Sequence, residues 1–344
     1  MDGKNYRVQR SSPREMIRGQ MAMRIMEAEG DVGRALRTYD TLQKDQWKQL
    51  DSTVKTIVRQ NLVVAQDLRN TPGILNPINN IGILLSEWQD VSDIGDAQRD
   101  MMGLERGENQ GIDFGLNAVP IPITHMDFDL PWRQLQASAG GGATTLDTRM
   151  VALATRKVSE SIEDLFLYGD SSITLNGNSI SGIMNHTNVV TGSLTDGWND
   201  ATNRDPVEDV IQMKKEMVGM GFPEQGPYNV YVPSNYSDVL ENDYKQYSER
   251  TYRQRILAIN GINDVKVAHR LNNSTMSGIS DDEVVMVYMS PEQIAVDQAS
   301  DIQPVEWDSQ GGFVTDYKVF SAVTLRLMPD YNGTLGIVVY SDTP

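Results

Sequence analysis

The sequence predicts an α+β fold, and three features predict it. A helical stripe of apolar residues runs from Thr144 to about Tyr168. The last third of the chain carries apolar residues in the two-residue period of strands. Between two strand-like stretches lies an acidic, glycine-spaced excursion from Trp88 to about Asn117, which fits neither period.

The elements follow in order. Ser12-Pro13-Arg14-Glu15 has the residues of a capping box with proline in the first turn, and Gly30 is a stop, so a helix is expected between them. Trp47, Leu50, Val54, Ile57, Val58, Leu62, Ala65 and Leu68 recur at spacings of three and four, predicting a second helix that Thr71-Pro72-Gly73 ends. The first 73 residues thus read as a helical arm whose apolar stripes need a surface, on this subunit or a neighbour. Residues 74–87 read as partly buried strand. Val119, Ile121 and Ile123 alternate around Pro120 and Pro122, which cannot donate to a ladder, so this is an edge strand. Met126 to Leu130 continues it with Asp127 and Asp129 outward.

Gly140-Gly141-Gly142 frees a turn before the long helix, whose stripe is Leu146, Met150, Leu153, Ala154, Val158, Ile162, Leu165 and Phe166, with Arg149, Arg156, Lys157, Glu160 and Glu163 outside it. Asn176-Gly177 marks a hairpin. Asp205-Pro206-Val207-Glu208 opens a capped helix to about Met220, Tyr228 to Val232 is a strand, and Tyr236–Tyr244 and Arg250–Ile259 read as helices. Strands follow at Ile262–Val267, Glu283–Met289 and, shorter, Ile294–Asp297. Two long strands marked by Val319–Leu327 and Leu335–Val339 close the chain, both expected in the domain of the long helix.

The excursion is the segment least suited to a compact domain. Glu87, Asp90, Asp93, Asp96, Asp100, Glu105, Glu108 and Asp113 face only Arg99 and Arg106, and five glycines interrupt it. A structureless loop of that length inside one domain is improbable, so it is expected to leave its domain and lie on a neighbour. The carboxylates lack the dense Asp-x-Asp spacing of a calcium loop. An acidic face turned to solvent or to a neighbour is the simpler reading, and Asp196 to Asp205 reads the same way.

Charge is unevenly spread. The whole chain carries −17, while residues 1–24 set Lys4, Arg7, Arg10, Arg14, Arg18 and Arg24 against Asp2 and Glu15, giving +4 and leaving −21 for the rest. A basic arm on an acidic body suits an anionic partner, either acidic neighbours or nucleic acid, or is a solvated tail. There is no cysteine, which excludes disulfides, thiolate metal sites and cysteine nucleophiles. No run reaches the ~18 apolar residues of a membrane span, and Met1 to Arg10 lacks a signal peptide's apolar stretch, so a cytoplasmic chain is expected.

Chemistry-bearing motifs are absent. His125, His186 and His269 lack metal-site spacing, Gly219-Met220-Gly221 follows a helix and lacks the third glycine of a dinucleotide fingerprint, and there is no P-loop or nucleophile elbow. No cofactor, metal or catalytic residue is expected.

The order of these segments carries a resemblance. Pro120-Ile121-Pro122-Ile123-Thr124-His125-Met126-Asp127-Phe128-Asp129-Leu130, then Arg133-Gln134-Leu135, then the helix ending Ser161-Ile162-Glu163-Asp164-Leu165-Phe166-Leu167-Tyr168-Gly169, then Ile180-Ser181-Gly182-Ile183-Met184-Asn185, resembles the extended loop and spine helix of tailed-phage major capsid proteins of the Hong Kong 97-like fold. Encapsulins, bacterial nanocompartment shells, share that fold. Val230-Tyr231-Val232-Pro233-Ser234 and Ile259-Asn260-Gly261-Ile262 are similar to its axial domain.

The resemblance implies an N-terminal arm (1–73), a peripheral domain with a long spine helix (74–87, 118–200, 306–344), an extended loop (88–117) and an axial domain (201–305). It implies a structural subunit of a double-stranded DNA bacteriophage shell, built as pentamers and hexamers of itself, with portal, scaffold and a cement or decoration protein as partners, assembled in the host cytoplasm and residing in the virion. The inter-subunit loop residues would be Trp88, Asp93, Asp96, Arg99, Asp100, Glu105, Arg106, Glu108 and Asp113. Lys4, Arg7, Arg10, Arg14, Arg18 and Arg24 would meet packaged DNA or a neighbour. In the phage that names the fold, a loop lysine bonds covalently to a neighbour's asparagine. The chain has no lysine between Lys55 and Lys157, so no covalent cross-link is expected. The alternatives are an encapsulin-type shell around cargo enzymes and, more distantly, a soluble α+β hydrolase. The basic arm favours a lumen of DNA.

Overall fold

The computed structural model describes residues 63–344 except 79, 93–98, 100, 103–113, 135–145, 201–202, 245–249, 273–281, 331 and 343–344. The first predicted helix and most of the second lie outside these residues. The end of the second is α1 (Val64–Asn70), stopped as expected at Thr71, whose hydroxyl donates to the Asp67 carbonyl at 3.0 Å.

Strand β1 (Leu75–Pro77) follows, and then β2 (Leu85–Val91) and β3 (Phe114–Pro120), paired antiparallel from Leu85↔Pro120 to Val91↔Phe114. The base of the acidic excursion is therefore a two-stranded ribbon. Pairing satisfies the backbone N–H and C=O groups of a segment with no sheet beside it. Strand β4 (Ile123–Pro131) resumes after a break at Ile121-Pro122 and lies at a sheet edge, as its prolines require.

Helix α2 (Leu146–Tyr168) is the long helix. Its buried side includes Val151, Ala154, Val158, Ile162, Leu165 and Phe166, but two residues depart from the expected stripe. Leu153 is 58% exposed, and Glu163, expected outside the stripe, is only 2% exposed. Thr155 and Ser159 are also buried on this helix, and each hydroxyl donates back to the carbonyl four residues earlier at 2.8 Å.

The helix ends at Gly169 (φ +67), where β5 (Gly169–Leu175) begins and turns through Asn176-Gly177, both at positive φ, into β6 (Asn178–Ser181). This is the expected two-residue hairpin. Gly169 and Gly182 meet back to back: a Cβ on Gly182 would stand 2.3 Å from the Leu167 carbonyl oxygen, and one on Gly169 2.3 Å from that of Ile180. Asn185 locks the crossing, accepting from the Gly182 N–H at 2.8 Å and donating to the Tyr168 carbonyl.

The remaining elements are β7 (Val190–Ser193), α3 (Pro206–Gly219), β8 (Tyr228–Pro233), α4 (Ser237–Glu241), α5 (Tyr252–Leu257), β9 (Ile262–Ala268), β10 (Glu283–Tyr288), β11 (Ile294–Ser309), β12 (Val314–Leu327) and β13 (Ile337–Ser341). Asp205 caps α3 by accepting from the Glu208 N–H, so that acidic residue is a local cap. Two sheets organise them: β1-β11-β12-β4 and β7-β13-β10-β8-β9.

Two expectations about the strands are corrected. The stretch after Ile294 is not short: β11 runs 16 residues and pairs antiparallel with most of β12 through two register shifts. Its second half, with Asp301, Glu306 and Asp308, is one-sided and partly exposed, so it lacks a continuous apolar run. The closing strands also do not form a pair. β12 lies in the four-stranded sheet beside α2, whereas the five-residue β13 pairs with β10 and β7 in the other sheet. The sheets therefore cross the expected divisions at 200 and 305. Local pattern marks a strand, while its partners are set by contacts distant in sequence.

The five-stranded sheet is covered on both faces. Tyr231, Val285, Val287, Ile337 and Val339 face a core shared with α1, α2 and the four-stranded sheet. Tyr228, Val230, Val232, Val284, Met286 and Val338 face a second core with α3, α4 and α5. This double burial explains the nearly uninterrupted apolar runs of β8 and β10.

Candidate inter-subunit surfaces

The ribbon leaves the body progressively. Near its base, Val119 packs with Leu165 and Ile180, and Trp88 covers them. Toward its far end, Phe114 and Leu116 are 68% and 67% exposed. Large apolar side chains held in water on a projecting ribbon suit a protein contact. The Arg326 guanidinium lies over the Trp88 ring, 5.7 Å from its centroid, and donates to the Ser86 hydroxyl at 3.4 Å. Its Nε stands 3.4 Å from the fully buried Asp297 carboxylate, which also accepts from Asn76 at 2.7 Å. Arg326 thus ties the ribbon base to β11 and β12. Beside it, a cleft of about 180 Å³ is walled by Trp88, Asn117, Ser179, Ser181 and His186. Burial pushes the His186 pKa down.

A second surface is the side of the four-stranded sheet turned away from α2. Tyr317 and Val319 of β12 face the core, so the residues alternating with them face outward. Register aligns Val305, Lys318 and Asp127 across three strands, and Gln303, Phe320 and His125 beside them. Asp127 pairs with Lys318 at 3.2 Å and with His125 at 3.1 Å, while Val305 and Trp307 are exposed. This face combines apolar area with paired charges.

Of the expected loop residues, Trp88 is half-buried at the ribbon base and Arg99 is exposed. Asp93, Asp96, Asp100, Glu105, Arg106, Glu108 and Asp113 lie outside the described residues, as do Lys4, Arg7, Arg10, Arg14, Arg18 and Arg24 of the arm.

The junction that sequence reasoning missed is α1. The Glu163 carboxylate of α2 accepts from the N–H groups of Val64 and Ala65 at 2.8 and 3.0 Å, capping α1 from another helix. Burial pushes the Glu163 pKa up to about 7 despite these bonds. On α1 itself, the Asp67 carboxylate accepts from the Tyr231 hydroxyl at 2.6 Å and the Asn229 amide at 2.7 Å, and pairs with Lys266. Burial, then the Asp67 charge, holds the Tyr231 pKa well above its ordinary value. Seven residues thus bond to both α2 and the five-stranded sheet. The available signals were a glutamate beside Ile162 on an apolar helix and an asparagine inside an apolar strand.

No group of three or more metal-capable side chains comes together among the described residues, and no described helix is long and apolar enough to cross a membrane.

This arrangement of spine helix, projecting ribbon, long paired strands and a sheet layered with short helices is the Hong Kong 97-like fold of tailed-phage capsid proteins. The capsid protein of Myoviridae phage XM1 superposes with a TM-score of 0.63 at 10% identity, over 80% of this chain and 91% of that one. A virus-like particle from Pyrococcus furiosus gives 0.58 at 15%, over 86% and 98%, and Mycobacterium phage Ogopogo 0.56 at 9%, over 82% and 92%. The chain itself belongs to DUF6260, a family of unknown function, which it matches over residues 35–292. No curated protein matches its sequence.

Proposed function

We propose that this chain is the major capsid subunit of a tailed double-stranded DNA phage, assembling with copies of itself as pentamers and hexamers into an icosahedral shell. The observation that carries the reading is the ribbon, which projects from the body with Phe114 and Leu116 exposed at its outer end. A second copy would cover these residues, and the outer face of the four-stranded sheet around Val305, Trp307 and Phe320 is a matching surface. Contacts that pass from each copy to the next close into rings. The role is structural, and the shell is the site of residence.

The further partners are part of the same proposal. The basic arm, Lys4 to Arg24, would neutralise phosphates of packaged DNA or meet a neighbour's acidic ribbon. A portal, a scaffold and a cement protein would act during assembly, and without a loop lysine the shell would hold without covalent cross-links. The Pyrococcus particle favours a second reading, an encapsulin-type compartment, because this chain spans 98% of that subunit. The long basic arm supports the DNA-filled shell instead.

The test is electron microscopy of the purified chain, with analysis of what copurifies. Large shells holding double-stranded DNA are expected. Small shells around a cargo enzyme would establish the encapsulin reading, and a lasting monomer with hydrolase activity would overturn both. Deleting residues 93–111 should leave a folded subunit that no longer assembles.

A further inference from the structure

Residues 1–62 join the body through α1, so whatever holds α1 governs the arm's attachment. The hold on α2 is made at one place, where Glu163 caps the first N–H groups of α1 from within the core. We propose that this contact is a proton-controlled latch on the N-terminal arm: α1 stays seated while the Glu163 carboxyl is protonated and is released more readily once it ionises.

The argument rests on burial. A seated α1 removes Glu163 from water, leaving it 2% exposed, and the charged form loses more by this than the neutral form. Three bonds from backbone N–H groups at residues 63 to 65 favour the charge but do not offset the desolvation. The surrounding charges divide. On α2, Asp164 opposes ionisation of Glu163, and Glu160 lies nearly one turn before it. On α1, Arg69 favours it, but Arg69 also pairs with Asp301 of β11 at 3.4 Å. Tyr231 of β8 faces Glu163 while donating to Asp67 of α1, and Lys266 of β9 pairs with Asp67 and with Asp264. Arg270, beyond β9, bonds Asp164 at 2.9 Å, so its charge is directed there.

The sign follows from linkage. Glu163 titrates near 7 when α1 is seated and near the ordinary 4.5 when water reaches it. The stabilisation of the seated form is complete below 4.5 and is lost as pH rises through about 7. From these two values, the opening equilibrium of α1 increases about thirtyfold between pH 5.5 and 8.5. Asp67 holds α1 to the five-stranded sheet independently, so opening at the higher pH is a change in population and not detachment of every copy.

The test is hydrogen exchange on the full-length, unassembled chain at pH 5.5, 7 and 8.5, so it does not depend on the shell reading. Protection factors, which correct for the intrinsic pH dependence of exchange, are read for the amides of α1, with β10 as internal reference. Protection in α1 should fall about thirtyfold across the range while β10 stays constant. In Glu163→Gln, a neutral side chain of the same shape, α1 should show the same protection at all three pH values. A wild-type α1 whose protection does not vary with pH overturns the proposal without any variant. So does an equal fall in Glu163→Gln, which would assign the effect to other groups.

Discussion

Replacing Asp67 by alanine tests the junction on which the arm and the five-stranded sheet depend. The substitution removes the acceptor of the Tyr231 hydroxyl and of the Asn229 amide, both on residues no more than 2% exposed. A buried donor left without a partner costs about 1–3 kcal/mol, so two give about 2–6 kcal/mol, with about 4 kcal/mol expected. Lys266 adds little, because its ammonium is one-third exposed and Asp264 stands 3.4 Å away as a second partner. Against a typical total of about 5–15 kcal/mol this is a large loss. Urea unfolding of the unassembled chain measures it. Tyr231→Phe in the Asp67→Ala background should recover about 1–2 kcal/mol, since it removes one stranded hydroxyl. If Asp67→Ala unfolds within about 1 kcal/mol of wild type, or the second change recovers nothing, the junction does not hold the fold together as described.

Other outcomes follow from the same geometry. Gly182→Ala should destabilise severely or prevent folding, because the new Cβ meets Leu167 backbone that cannot give way, while Gly177→Ala, which meets nothing within 4 Å, should cost only about 1 kcal/mol from its positive φ; thermal melting separates the two. Arg326→Met leaves the buried Asp297 with Asn76 as its remaining polar partner and should cost about 3–5 kcal/mol in urea unfolding. Trp88→Ala should loosen the ribbon base, read as faster hydrogen exchange across 85–91 and 114–120 with the α2 amides unchanged. Replacing Arg7, Arg10, Arg14 and Arg18 by glutamine should impair assembly or genome retention, and normal particles with full genomes would show that these charges are not needed.

Much of the architecture was legible because its signals are local. The α2 stripe, the Asn176-Gly177 turn, the Asp205 cap and the Thr71-Pro72-Gly73 stop each act within a few residues, and each stands where sequence placed it. The projecting excursion was legible too, since eight carboxylates and five glycines cannot build a core. Which strands pair was not legible. The β13 segment has the same apolar pattern whether it joins β12 or β10, and only the five-stranded sheet supplies a two-sided apolar slot for it. Nor did the second half of β11 announce itself, because its exposed positions carry charges that read as loop.

The sequence by itself determined that this chain is α+β, that it carries a basic arm on an acidic body, and that one long segment must seek contacts outside its own core. These are matters of composition and period, which neighbours in space do not alter. Only the tertiary structure decided that Glu163 and Asp67 are buried and anchor the arm. Whether a carboxylate is solvated or capped depends on which backbone N–H groups lie across from it, and those lie some hundred residues or more away in the chain.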